Sequence, residues 1–180
     1  QTSLSNLQSE INNLLTGLSE SPLHQPRLVH IPTRYGGEFG PDLSFVAAHT
    51  KLKSEEIISL HSEPQYLVYM MGFNTGFPYL GGMPKQLATP RLETPRTKTP
   101  AGSIGIAESQ TGVYPVASPG GWRLIGKTPM KLFDPLKQPP ALLKAGDYLK
   151  FIPIDTDDEY AEIEQRVATD EYTVTVELLQ

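Results

Sequence analysis

Apolar residues recur along this chain in two different rhythms. Leu4, Leu7, Ile11, Leu14, Leu15 and Leu18 fall at three- and four-residue steps, which is one stripe of a helix. Ser5 with Gln8 fits a capping box, and Gly17-Leu18 fits a Schellman-type stop, so the spacing predicts a helix over 4–18. A linker with two prolines runs to Pro26, and the rhythm then changes. Residues 27–34 (RLVHIPTR) read as a strand and 35–41 (YGGEFGP) as a Gly-rich turn. Asp42 is placed to cap a short helix, LSFVAAHT, and Ser54 a second, EEIISLHS. Glu55 and Glu56 suit the positive end of that second helix dipole. Residues 65–72 read as a buried strand. Short apolar runs at 103–108, 113–117, 122–127 and 130–133 read as further strands, as does 148–154 after the turn Ala145-Gly146-Asp147. An amphipathic helix over 157–167, with Tyr160, Ile163 and Val167 on one face, precedes an alternating strand at 171–179. Short strands at this spacing predict a mainly β barrel with a few short helices.

Composition narrows the chemistry. With 180 residues the chain is long enough for one well-buried core. A formal net charge of -5 gives no basic face for nucleic acid. The absence of cysteine removes disulfides and thiolate metal sites. No apolar run reaches the roughly 18 residues of a membrane span, so a soluble, cytoplasmic protein is expected. The 15 glycines and 17 prolines favour turn-rich β structure.

Many of those turn residues lie between Gly72 and Trp122. Gly permits positive φ, Pro fixes φ, and aromatic and basic residues are interleaved, so the segment predicts a shaped surface. Thr89-Pro90, Thr94-Pro95 and Thr99-Pro100 recur every five residues, and two of them run on into Arg91 and Arg96. Arginine suits carboxylate or phosphate through its planar fork. Phe77, Tyr79 and Tyr114 read either as walls of a small-molecule pocket or as core. Residues 121–128 (GWRLIGKT) match the P-loop pattern letter for letter. Their bulky Trp122, Leu124 and Ile125, followed by Pro129, predict a strand with Trp122 in the core instead. His24, His30, His49 and His61 show no metal-pair spacing, and His49 reads first as a helix-end cation. Glu38 and Asp42 read either as an acid–base pair or as turn and cap residues.

Several stretches carry a resemblance. GFPYLGG (76–82), LATPR (87–91), TPR (94–96), PAGS (100–103), QTGVYP (110–115) and ASPGGWRLIG (117–126) resemble the carboxyltransferase subdomain C/D family, also called allophanate hydrolase subunit one. IPTRYGGEFGPDL (31–43) and LLKAGDYLKFIPI (142–154) extend the likeness. The resemblance implies a cyclophilin-like β-barrel over 23–180, with 1–22 the last helix and linker of a truncated N-terminal α/β domain. It implies a B-type subunit of an ATP-dependent 5-oxoprolinase, opening 5-oxo-L-proline to L-glutamate with C-type and A-type partner subunits. ATP with Mg is then expected at the level of the complex. The same motifs occur in a sensor histidine kinase inhibitor and in carboxyltransferase or allophanate-hydrolase-like subunits. The run Ala47-Ala48-His49-Thr50 matches the family pattern, which adds His49 to Glu38 as a candidate for catalysis. The binding site is expected on the 76–98 loop and the hairpin beside it. There Arg91 and Arg96 would hold a carboxylate, Phe77, Tyr79 and Tyr114 form walls, and Thr94 and Gln110 bond a lactam.

Overall fold

The structure, a computed structural model, describes residues 4–16 and 25–179. Its strands are β1 (Arg27–Tyr35), β2 (Tyr66–Met71), β3 (Pro78–Gly81), β4 (Arg96–Thr99), β5 (Ser103–Ala107), β6 (Gln110–Val113), β7 (Ser118–Gly120), β8 (Arg123–Lys127), β9 (Tyr148–Ile154) and β10 (Val176–Leu178). Its helices are α1 (Leu4–Thr16), α2 (Leu43–Thr50), α3 (Ser54–Ser62) and α4 (Asp157–Ala168). The main sheet runs β3-β2-β9-β1-β8-β5-β6, with β10 paired to β1. Its two end strands, β3 and β6, lie against each other, so the sheet nearly closes into a barrel. Strands β4 and β7 form a separate two-stranded ribbon.

β1 and β9 pair in parallel from Leu28↔Tyr148 to Arg34↔Ile154. A proline in so central a strand would ordinarily break the ladder. His30 N–H points to the opposite edge, where it donates to Thr175 O. Pro32, two residues on, faces that same edge, in the gap between β10 (paired to 27–29) and β8 (paired to 34–35). No ladder bond is lost there.

Val29, Ile31, Val68, Ile104, Ile106, Val113, Ile125, Leu149 and Phe151 are fully buried in the core. β-branched side chains fill a pleated surface well, and each such burial contributes about 1.5–3 kcal/mol. α2 packs on β8 and α3 on β9, adding Val46 and Ile57 to the same core. α4 covers a smaller cluster of Ile154, Tyr160 and Ile163, with Val167 at its edge.

A polar chain crosses the core. His61 is fully buried, and its ring stacks on Phe151 at 4.6 Å. Thr111 Oγ1 donates to Gly105 O (3.0 Å), so it accepts from His61 Nε2 (2.7 Å). His61 Nδ1 therefore accepts from the Tyr35 hydroxyl (2.8 Å). The tautomer is fixed by its neighbours. Burial lowers the His61 pKa to about 3 and raises those of Tyr35 and Tyr66, so all three rings are neutral.

Local sequence misplaces some elements. Ser5 lies inside α1, and Leu4, Leu7 and Ile11 are exposed. The Gly17-Leu18 stop, the linker to residue 24 and His24 lie outside the described residues. Ser54 is the first residue of α3, and the Lys53 N–H is capped by Glu56 Oε2 at 2.7 Å. β2 is buried only in its first half; Tyr69 and Met70 face out. The strand expected at 113–117 begins three residues earlier, as β6. Residues 130–133 form no strand, only a single bridge from Phe133 to Ala141. The last strand shrinks to β10. Asp147 is more than a turn residue: fully buried, it accepts from Arg27 Nε (3.0 Å) and from Lys144 N–H (3.0 Å).

Candidate functional site

The 76–98 stretch contains two strands, β3 and β4, and a 3-10 turn at Lys85–Leu87. Its middle is tied down at intervals. Thr89 and Glu108 exchange backbone bonds (3.1 and 2.7 Å), and Leu92 N–H donates to Gly121 O (2.7 Å). Arg123 Nε bonds Pro90 O (3.2 Å). The loop's conformation is thus set by its neighbours as well as by its prolines.

Between this loop, β6 and the β7–β8 corner lies a cavity of about 380 Å³. Phe77 is its hub. Its ring meets Phe73 (5.5 Å), Tyr79 (5.5 Å), Tyr114 (5.7 Å) and Trp122 (5.8 Å), each near-perpendicular. Edge-to-face packing of this kind is the favoured aromatic geometry. Arg91 and Gln110 add polar groups to the wall. Gly112 permits the arrangement, because a methyl there would lie 3.0 Å from the Trp122 ring and 3.2 Å from Phe77. Phe73 sits at the rim with φ 58, a backbone region that a bulky residue rarely adopts. Burial raises the pKa of the Tyr114 phenol, against a hydrogen bond with the Trp122 backbone and the charges of Arg91 and Arg96. The phenol is therefore protonated near neutrality and available as a donor.

Five of the predicted residues meet here: Phe77, Tyr79, Arg91, Gln110 and Tyr114. Thr94 is exposed and not on the cavity wall. Arg96 also stands apart. Its Nη2 reaches both Asp42 carboxylate oxygens (2.9 and 2.8 Å), and its Nη1 reaches Trp122 O (3.2 Å). Asp42 also accepts from Leu124 N–H at 2.6 Å and makes no cap bond to α2. The nonlocal arginine prevails over the local cap, and Asp42 and Arg96 are paired with each other rather than turned to the cavity. Arg96→Ala should cost about 1.5–3 kcal/mol of folding stability, the range for hydrogen bonds to a charged group. Urea denaturation checks this; an unchanged midpoint would count against the ion pair as a structural tie.

Glu38 is exposed on the wall of a different, larger groove of about 560 Å³, shared with Arg96, Lys98 and α4. That groove mixes charges of both signs with its apolar residues, whereas the aromatic cavity sets a few polar groups among converging rings and is the better small-molecule site. His49 is exposed on α2, its ring parallel to Phe45. Neither candidate for catalysis touches the aromatic cavity. Trp122, expected in the core, is only partly buried and forms a wall of the cavity with Phe73, Pro95, Pro119, Gly120 and Gly121. Hydrophobicity alone does not separate a core ring from a pocket ring, whereas the Pro-Gly-Gly before Trp122 is a local sign of close approach. The P-loop-like stretch is β8 and its flanks. Its backbone donors are committed elsewhere, Leu124 N–H to Asp42 and Thr128 N–H to Gly102 O, so it cannot cradle phosphate. Among the described residues no cluster of three His, Asp or Glu could hold a metal.

Comparison with known proteins agrees with this architecture. Residues 1–143 match the model of the carboxyltransferase domain, subdomain C and D. The chain is 51% identical over 155 residues to the B-type subunit of 5-oxoprolinase from Bacillus subtilis, covering 86% of this chain and 65% of that one. It is 59% identical over 128 residues to the corresponding 5-oxoprolinase chain of Haemophilus influenzae, covering 71% and 60%. The chain thus spans less than two thirds of these relatives' length. A conserved uncharacterized protein of Pyrococcus horikoshii superposes with a TM-score of 0.71 at 47% identity, over 88% of this chain and 73% of that one. Urea carboxylase of Kluyveromyces lactis shares the fold at a TM-score of 0.69 and 18% identity, over 96% of this chain and 18% of that one. The chain belongs to the carboxyltransferase subdomain C and D family.

Proposed function

We propose that this chain is the barrel part of a B-type subunit of a multi-subunit, ATP-dependent 5-oxoprolinase, which opens 5-oxo-L-proline to L-glutamate in the cytoplasm. The observation that carries the reading is the pairing of Arg91 with aromatic walls and the Gln110 amide around one cavity of about 380 Å³. A small, flat lactam with one carboxylate suits such a site: the guanidinium takes the carboxylate, the rings take the ring carbons, and polar groups take the amide. The 51–59% identities to proteins named for this activity support the same reading. Glu38 and His49 stand away from the cavity, so we assign proton transfer, and ATP with Mg, to the partner subunits of C and A type. The outward-facing Phe73 at the cavity rim, with Tyr69 and Met70 exposed on the preceding strand β2, supports a macromolecular neighbour there.

Reconstitution tests this. The purified chain alone should show no turnover, and the full set of subunits should hydrolyse ATP in proportion to glutamate formed. Complete ATP-dependent ring opening by this polypeptide alone would overturn the shared site. A gel assay of sensor-kinase autophosphorylation separates the inhibitor alternative, which no feature of the cavity specifically favours.

A further inference from the structure

Residues 72–77 connect β2 to β3 and fold back on themselves. Gly72 N–H donates to Phe77 O (3.0 Å), and Phe77 N–H donates to Asn74 O (3.1 Å). Within that frame Asn74 N–H donates to Gly72 O at 2.6 Å, across a Phe73 whose φ is 58. A bond between residues two apart, around a centre of positive φ, is the rare and strained form of the γ-turn. The other non-glycine residues with positive φ among the described ones are Lys51, Glu108 and Asp170, all polar. Lys51 caps α2, Glu108 turns the β5–β6 hairpin and Asp170 follows α4, ordinary places for such a backbone. Phe73 has no such excuse, and the folded chain offsets little of its strain. Its ring is 70% exposed, with an edge-to-face contact to Phe77 at 5.5 Å. Yet the same ring lines the cavity that holds Arg91, Gln110 and Tyr114. Strained backbone at the rim of a ligand cavity is the kind that persists for what it presents.

We propose that Phe73 is a ligand-binding residue of this cavity, held by its strained turn as a cap that packs on one face of a small bound ring and shuts out water. The assignment rests on the lactam reading above and adds a binding residue to Arg91 and Gln110. The turn fixes the ring before the ligand arrives, so capping costs little ordering. The connection is anchored at its far end, where a methyl on Gly76 would lie 3.1 Å from Phe133 Cβ. Affinity therefore follows the Phe73 ring, and strain follows its Cβ.

The experiment uses the reconstituted complex for turnover and the purified chain for melting and fluorescence. Trp122 is the chain's only tryptophan and a wall of the cavity, so its emission reports 5-oxoproline binding. Phe73→Ala and Phe73→Gly both remove the ring. Each should raise KM and the fluorescence Kd roughly threefold to tenfold, the loss of apolar contact with one face of a small ring. Phe73→Tyr restores a ring and should recover most of that affinity. Phe73→Gly should melt about 2–4 °C above Phe73→Ala, because glycine takes the turn freely and alanine does not. Equal melting of the two would overturn the strained turn. A merely structural ring would leave KM and Kd unchanged while lowering the melting temperature of both variants. Variants that assemble poorly with the partner subunits yet bind 5-oxoproline with wild-type Kd would make Phe73 a subunit contact. Either result overturns the cap while wild-type activity stands. Wild type with neither ring opening in the complex nor a 5-oxoproline-dependent change in Trp122 emission would remove the lactam reading, and the cap with it.

Discussion

Wild-type protein should lose roughly 1.4 kcal/mol of folding stability per pH unit on acidification below about pH 6.5, and a His61→Leu variant should not. His61 is fully buried, and its pKa falls from 6.5 to about 3 because the charged ring would be desolvated. Above pH 6.5 the ring is neutral in both folded and unfolded chains, and this group adds no slope. Below it the unfolded chain takes up a proton that the folded one refuses, so stability drains away with each unit. The loss ends near pH 3, where the folded ring also protonates, and amounts to about 5 kcal/mol over the window. The groups around the ring do not relieve this. Tyr35, Tyr66, Thr111 and Phe151 supply two hydroxyl bonds and aromatic faces, and no carboxylate. At pH 7 the variant should itself be less stable by about 1–3 kcal/mol, because the Tyr35 hydroxyl is left unpaired in the core. Urea unfolding at pH 7, 6 and 5 resolves the two effects, since most carboxylates titrate lower. Parallel profiles for wild type and variant would show that His61 is not the acid-sensitive group.

The signal for that histidine is present in the chain, in helical spacing rather than in residue type. Ile57 and His61 lie four residues apart, one face of α3, and both are buried. A helix face that holds an isoleucine in the core holds the residue one turn on there too. By contrast β1 and β9 are legible outright. Their β-branched and aromatic residues are bounded by turn residues, and both strands sit in the middle of the sheet. The start of β6 is hidden because Gln110, Thr111 and Gly112 look like a turn. Gly112 is there for Trp122 and Phe77 to close on, a requirement set by residues distant in sequence. The aromatic half of the candidate site is visible in composition. What is not visible is that Arg96 belongs elsewhere, because Asp42 and Arg96 are 54 residues apart and nothing local announces their pairing. Short-range cap chemistry predicts one partner for Asp42, and long-range charge pairing supplies another.

That pairing separates the two arginines, which the sequence alone places together on a carboxylate. Arg91→Ala in the reconstituted complex should lower kcat/KM for 5-oxoproline roughly tenfold to over a hundredfold, with the melting temperature unchanged. The figure is the cost of one charge-assisted contact, about 1.5–3 kcal/mol, at 1.4 kcal/mol per decade. Arg91 is exposed, lines the cavity, and sits close enough for its charge to stabilise an ionised Tyr114. It has no structural role comparable to that of Arg96, whose fork closes on Asp42 and Trp122 O. Arg96→Ala should therefore melt early, and any fall in activity should follow the fraction unfolded. Arg91→Lys makes the contrast sharper. A lysine keeps the charge but not the bidentate geometry, so it should recover part of the lost kcat/KM and no more. If Arg91→Ala retains full activity while Arg96→Ala abolishes it at temperatures where the protein is folded, the carboxylate site lies in the Arg96 groove beside α4.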